Sequence, residues 1–244
     1  MGGESIEQLA AMIARSKKIV FFGGAGMSTE SGIPDFRSTY GIYRRENGRS
    51  YEEMLSIRYF LNHIDDFWRF YKDVMLYPDA KPNAGHIALA RLEQQGRLRT
   101  IITQNIDGLH QEAGSRNVLE LHGSVHRNVC MRCNKRFDLA YVLGQEGTPH
   151  CDQCHDVLRP EVVLYGEPLN ADITDEATRA VIDCDLLIVG GTSLTVYPAA
   201  GLLGYRTGAK LVLINRDETP FDSRADLIVR LDIAGVLDTV IPKK

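Results

Sequence analysis

A chain of 244 residues, 44% hydrophobic and 25% charged, is long enough for a substantial core and has the make-up of an ordinary globular protein. Its 28 basic and 32 acidic side chains leave a formal charge of −4, which argues against a nucleic-acid binder built on a broad basic surface. No run approaches the roughly 18–20 apolar residues of a membrane span, and the N-terminus, MGGESIEQLAAMIARSKK, lacks the pattern of a secretory signal. The expectation is a cytoplasmic enzyme with neither nucleic acid nor membrane as partner.

In chain order, residues 5–16 have helical spacing, with Ser5 as N-cap and Gln8 at the capping-box position. KIVFF (18–22) then reads as a buried strand and runs into the glycine-rich GGAGMSTESGIPDFR (23–37). Residues 39–80 are polar and aromatic, with a helix expected at 65–76. A helix at 83–96 ends on Gly96, and RTIIT (99–103) and NVLEL (117–121) are strands. The segment 123–159 is poor in apolar residues and holds four of the five cysteines. EVVLY (161–165), DLLIV (185–189), KLVLI (210–214) and DLIVR (226–230) are further strands, separated by helices at 171–184 and 197–208, the last ending on Gly208. Most strands are apolar throughout, as in a parallel sheet covered on both faces. The fold class is therefore α/β, a doubly wound, mostly parallel, Rossmann-like sheet with a smaller lobe. Residues 1–38, 81–122 and 160–244 would form the sheet domain; 39–80 and 123–159 would build the helical and cysteine-bearing parts of the small lobe.

Cys130-x2-Cys133, seventeen residues, then Cys151-x2-Cys154 has the spacing of a two-knuckle zinc ribbon. In a reducing compartment metal is favoured over disulfides, and a redox role predicts one CxxC near a helix start, not two separated pairs. Four thiolates close a tetrahedral shell, so the zinc is structural and leaves no place for substrate. His150 and His155 flank the second knuckle but are not needed as ligands. Cys184 reads as a small core residue.

Gly24, Ala25 and Gly26 at the end of the first strand would let backbone amides meet a pyrophosphate, helped by the dipole of a following helix. The dinucleotide fingerprint is incomplete, because Thr29 stands at its third glycine. Beyond it, Asp35, Phe36 and Arg37 put an acid, a ring and a cation into one loop suited to a nucleotide. In TQNIDGLH (103–110), Gln104, Asn105, Ile106 and Asp107 follow a strand end and so face the same crevice. His122, in ELHG, is the candidate general base. Gly191, Thr192 and Ser193 form a second small-residue turn, and Asn215 ends another strand, positioned for adenosine hydroxyls.

GAGMSTESGIPDFR, TQNIDGLH, ELHG, the two CxxC pairs, VVLYGE and GGTSLTVYPAA occur in the order found in sirtuins, and the chain resembles that family across about residues 5–240. The resemblance is nearest the short bacterial and archaeal members. It implies NAD-dependent deacylation of protein lysines, with NAD consumed as co-substrate and nicotinamide, free lysine and O-acetyl-ADP-ribose as products. In the chemistry it implies, the acyl oxygen attacks C1′ of the nicotinamide ribose; His122 then deprotonates a ribose hydroxyl, directly or by relay. Asn105 and Asp107 would position the nicotinamide ribose and carboxamide, and Phe36 would shield the reactive face. Asp232 and Ile233 would contact the adenine. Val163, Leu164, Tyr165, Gly166 and Glu167 would run along the acetylated peptide by strand addition, with Val163 bounding the acyl-lysine tunnel. Family members that prefer succinyl-lysine carry a Tyr and an Arg where this chain has Trp68 and Tyr71, so deacetylation is expected over desuccinylation. A mono-ADP-ribosyltransferase on the same scaffold is the alternative; a nucleotide sensor and a dehydrogenase fit the motifs less well.

Overall fold

A computed structural model describes residues 2–35 and 49–243. In chain order, α1 (Gly2–Arg15) leads into β1 (Ile19–Gly23), followed by two 3-10 turns, Ala25–Met27 and Thr29–Ser31. Three helices come next: α2 (Tyr51–Met54), α3 (Ile57–Asn62) and α4 (Ile64–Val74). The chain then forms α5 (Ala84–Gln94), β2 (Leu98–Thr103), α6 (Leu109–Glu112) and β3 (Val118–Glu120). β4 (Gly123–Cys130), β5 (Arg136–Phe137), α7 (Leu139–Leu143) and β6 (Leu158–Val162) form the cysteine-bearing module. The last third comprises α8 (Ala171–Asp183), β7 (Leu186–Gly190), a 3-10 stretch Ala199–Tyr205, β8 (Lys210–Ile214), β9 (Leu227–Val229) and α9 (Ile233–Val240).

Six strands form one parallel sheet in the order β3-β2-β1-β7-β8-β9. Along β1, Ile19 and Phe21 enter one core with α1, α5 and α9, while Val20 and Phe22 enter another with α8 and the Ala199–Tyr205 stretch. Burial on both faces is why these strands read as continuous apolar runs. Strand order reverses between β1 and β7, where Gly23 pairs with Gly190. A crevice opens at such a switch point, outside the carboxyl ends of the strands.

EVVLY is not a strand of this sheet. The strand there is β6, displaced to Leu158–Val162 and antiparallel to β4 in a separate three-stranded sheet. Its alternating burial, with Leu158, Pro160 and Val162 inward, is that of a strand covered on one face. Three local expectations also change. Helix α1 begins at Gly2, so Ser5 lies inside its first turns and is not the N-cap. Residues 199–205 are 3-10, not α-helical, and the chain leaves Arg206 extended (φ −59°, ψ 122°), so no left-handed glycine cap is needed at Gly208. The glycine loop is followed by two 3-10 turns instead of an α-helix, so no helix dipole is aimed at it. Gly96 does take the left-handed conformation (φ 72°) beyond α5.

The third core belongs to the small lobe, where Phe60, Phe67, Trp68 and Tyr71 pack with Val125, Leu158 and Val162. Hydrogen bonds at α4 join the helical part to the cysteine module, among them one from Thr148 Oγ1 to Asp65 Oδ1. The Trp68 indole N–H donates to the Leu158 carbonyl at 3.1 Å, and Lys72 Nζ donates to the carbonyls of Gln145 (2.6 Å) and Gly147 (2.8 Å). Cys184 is buried in the sheet domain, as its setting suggested.

Candidate active site and zinc centre

A cavity of about 740 Å³ lies at the strand ends, between the sheet and the small lobe. Every described residue picked out from the sequence as a nucleotide or peptide contact lines it. Phe36 and Arg37 lie outside the described residues.

The two glycine turns form its floor, by direct contact with each other. Gly24 N donates to the Gly190 carbonyl at 3.3 Å and Gly26 N to the Gly191 carbonyl at 2.8 Å. These two amides therefore hold the turns together and do not face a phosphate. A Cβ on Gly26 would lie 2.8 Å from Gly191 Cα, and one on Gly191, which has φ 62°, would lie 2.4 Å from Met27 N. Glycine is required by this approach of backbone to backbone. Thr29 needs no such closeness; its hydroxyl donates to the Gly26 carbonyl at 3.1 Å. Gln104 ties the next strand end to the second turn, its amide donating to Thr192 Oγ1 at 3.0 Å. Ser193 and Thr195 share a hydroxyl contact of 2.8 Å.

A compact network joins the first turn to the TQNIDG loop. Asn105 Nδ2 donates to Ser28 Oγ at 3.0 Å, and Ser28 Oγ donates to Asp107 Oδ2 at 2.6 Å. Asp107 Oδ1 accepts from the Leu109 amide at 2.9 Å, and the Asp107 carbonyl accepts from His126 Nε2 at 2.9 Å. Ile106 anchors the loop to the small lobe, its carbonyl accepting from Val125 N at 3.0 Å. Ser28 and His126 were not singled out from the sequence. A short Gly-Met-Ser run gives no sign that the serine will be fully buried between two loops distant in the chain.

His122 sits just beyond β3, half-buried at the cavity. Its Nδ1 is 2.9 Å from the Gln104 carbonyl. A carbonyl only accepts, so Nδ1 carries the proton and the neutral ring keeps its lone pair on Nε2. Burial pushes the imidazole pKa below its ordinary value, with the Gln104 contact opposing. The ring is thus oriented by a backbone carbonyl from another strand end. Gly123 follows at φ 77°, where a Cβ would come within 2.0 Å of the Glu161 carbonyl, so β4 can leave His122 against β6 only with glycine there.

On the peptide side, Val163 N donates to the His122 carbonyl at 2.9 Å, and Tyr165 is bonded through its own N and O to Leu55 and Ile57. The Leu164 side chain is buried in the small-lobe core. Gly166 turns the chain at φ 92°, and Glu167 is tied to Arg159 at 2.7 Å and to Leu164 N at 2.9 Å. The backbone of this segment is already well anchored. At the other end of the cavity, Asn215 donates through Nδ2 to the Asp217 carbonyl at 3.1 Å, Asp232 pairs with Arg216, and Ile233 packs over Gly190.

The cysteine module has an internal pseudo-repeat. Cys130 and Cys151 each accept, at 3.1 Å, from the amide four residues on, and Asn134 and His155 take left-handed φ of 57° and 60°. The four Sγ atoms lie within 4.8 Å of one another, with Cys130–Cys154 at 3.3 Å and Cys133–Cys151 at 3.6 Å. Tetrahedral Zn–S bonds of about 2.3 Å place sulfurs about 3.8 Å apart, whereas a disulfide is about 2.05 Å. The donor set fits a structural zinc, held by these four thiolates.

Residues 24–198 match the model of the Sir2 family. The chain belongs to the Sir2 family, the sirtuins. It is 55% identical over 241 residues to the NAD-dependent protein deacetylase of Clostridium acetobutylicum, covering 98% of each chain. It is 44% identical over 246 residues to the protein of that name in Sulfolobus acidocaldarius, covering 98% of this chain and 94% of the relative. Among solved structures, a Sir2 protein with a p53 peptide and NAD+ superposes with a TM-score of 0.85 at 40% identity, 96% of each chain being covered. A Sir2 variant with a deacetylated p53 peptide and 3′-O-acetyl-ADP-ribose gives 0.88, also at 40% identity and 96% coverage of each.

Proposed function

We propose that this sirtuin is an NAD-dependent protein lysine deacetylase. It uses NAD as a co-substrate and releases nicotinamide, free lysine and O-acetyl-ADP-ribose. The observation that carries the reading is His122, fixed as its Nδ1–H tautomer by the Gln104 carbonyl at a cavity floored by both glycine turns. NAD supplies the ribose carbon to which the acyl oxygen transfers. His122 Nε2 takes the proton from a ribose hydroxyl. Asn105 and Asp107, bridged by Ser28, hold the nicotinamide-side sugar and carboxamide. The two turns, with Gln104, take the diphosphate and adjoining ribose, Asp35 fixes the phosphate-contacting Arg37, and Asn215, Asp232 and Ile233 take the adenosine. The segment 163–167 guides an acetylated peptide and lets Val163 bound the lysine tunnel. Phe36 and Arg37 complete the site in this reading, as cover for the nicotinamide ring and as a phosphate contact. The same reading divides the chain into an NAD-binding part (1–38, 81–122 and 160–244) and a small lobe (39–80 and 123–159). Among the described residues no helix is long and apolar enough to cross a membrane, and the reading places the enzyme in the cytoplasm.

Mass spectrometry of the products from NAD and an acetyl-lysine peptide tests the activity. O-acetyl-ADP-ribose is expected; ADP-ribose attached to the protein or peptide, with the acetyl group retained, would point to transferase chemistry instead.

Among the described residues lining the cavity, a carboxylated acyl tail finds no free arginine or lysine to meet it. Trp68 and Tyr71 are both fully buried, and the described arginine lining the cavity, Arg216, is already paired with Asp232. An unpaired charge in a dry tunnel is costly. Acetyl-lysine peptides should exceed succinyl-lysine peptides in kcat/KM by about tenfold or more, measured by competition in one reaction.

The pH profile follows from the sign of the His122 shift. A base must be unprotonated, and a pKa below the ordinary value of about 6.5 keeps His122 neutral at pH 7. The acid limb of kcat/KM should lie below pH ~6.5, with no histidine-linked rise between pH 7 and 8. An acid limb centred above pH ~7 is incompatible with this assignment.

A further inference from the structure

α5 contributes nothing to the cavity lining, yet its N-cap holds the cavity floor. Asn83 uses its side-chain oxygen to accept from Gly85 N (3.0 Å) and His86 N (3.3 Å), which starts the helix. Its Nδ2 turns the other way and donates to the Met27 carbonyl (2.8 Å) and to Ser31 Oγ (3.1 Å). Those two acceptors bracket Ser28, which bridges Asn105 and Asp107. Both faces of one amide are therefore spent, one on the helix and one on the turn that carries Ser28. Two neighbours fix the amide in place. His86 Nδ1 accepts from Asn83 N at 3.3 Å, completing a capping box, and burial drives the His86 pKa down to about 4, so the ring stays neutral and able to accept. Gly85 lets the first turn of α5 seat against Met27, since a Cβ there would lie 2.8 Å from Met27 Cε and from Ala234 Cα.

We propose that Asn83 is a positioning residue for the deacylation site: its Nδ2 sets the Met27–Ser31 turn, and through Ser28 the Asn105–Asp107 pair that meets the nicotinamide-side sugar. This rests on the reading of the cavity as an NAD site. The helix-capping role and the positioning role use different atoms, so they can be separated by substitution. Aspartate and serine both cap helices well, but neither offers an amide N–H to Met27. A carboxylate at this point also repels the Met27 carbonyl.

The test compares wild type, Asn83→Asp, Asn83→Ser and Asn83→Ala in thermal melts and in steady-state kinetics with NAD and an acetyl-lysine peptide. Asn83→Asp and Asn83→Ser should melt within about 3 °C of wild type, because the cap is kept. Both should lose about tenfold in kcat/KM for NAD, with KM for the peptide unchanged within about twofold. Asn83→Ala should lose stability as well. If Asn83→Asp and Asn83→Ser turn over like wild type, or if losses follow melting temperature alone across the three variants, Asn83 is only a helix cap and the proposal is wrong. A wild-type enzyme that makes no O-acetyl-ADP-ribose would instead overturn the NAD-site reading itself.

Discussion

Replacing His122 with alanine is expected to lower kcat by about 10²- to 10⁴-fold, the range for loss of a positioned general base. NAD affinity should change little, because the glycine turns and Asn105 make their contacts without the imidazole, and the Gln104 side chain still reaches Thr192 Oγ1. Folding should also persist, since among the described residues the ring makes one hydrogen bond, to the Gln104 carbonyl, worth about 1 kcal/mol net. In the proposed chemistry the first bond change, attack of the acyl oxygen at C1′ with loss of nicotinamide, needs no proton removed by His122. Nicotinamide exchange into NAD should therefore fall much less than O-acetyl-ADP-ribose formation. Binding by calorimetry, exchange with labelled nicotinamide and product formation together separate the steps. Turnover at the wild-type rate would remove His122 from the chemistry and leave only the scaffold.

Stripping zinc should abolish activity although no thiolate lines the cavity. Structural zinc sites of this kind contribute about 10–16 kcal/mol of binding free energy that doubles as folding free energy. β4, β5, α7 and β6 surround the four sulfurs, and the module shares its core with α4. Trp68 is the only tryptophan of the chain, and its indole N–H bonds to Leu158 of β6. Its emission thus reports on the joint between the helical and cysteine-bearing parts. Chelation, or Cys151→Ser, should shift that emission to the red in step with loss of turnover, and metal analysis should show one zinc per chain in the active protein. Full activity and unshifted emission after the zinc has gone would overturn this assignment.

The parallel sheet was legible because buried strands advertise themselves as apolar runs and strand ends carry the polar motifs. KIVFF, DLLIV and KLVLI all landed in it. EVVLY misled for the same reason: its valines are apolar, but the strand that forms is one-sided and ends at Val162, with Pro160 pairing across to Asn128. Periodicity cannot separate a strand buried by helices on two faces from a bend that crosses between lobes. The CxxC spacing announced the metal module, since ligand spacing is local. What sequence did not disclose are contacts between distant segments. The Gln104 carbonyl behind His122, Ser28 between Asn105 and Asp107, and the double duty of Asn83 each join residues 18 to 79 positions apart. The role of Gly24 and Gly26 changed likewise, from donors awaiting an anion to spacers permitting two turns to touch.

That touching has a bearing on how a bulky substrate gets in. With Gly24, Gly26 and Gly191 in backbone contact, the base of the cleft has no slack, and any displacement of one turn must carry the other. Any widening to admit a lysine displayed on a folded protein is therefore expected from the small-lobe side of the cleft and not from its floor.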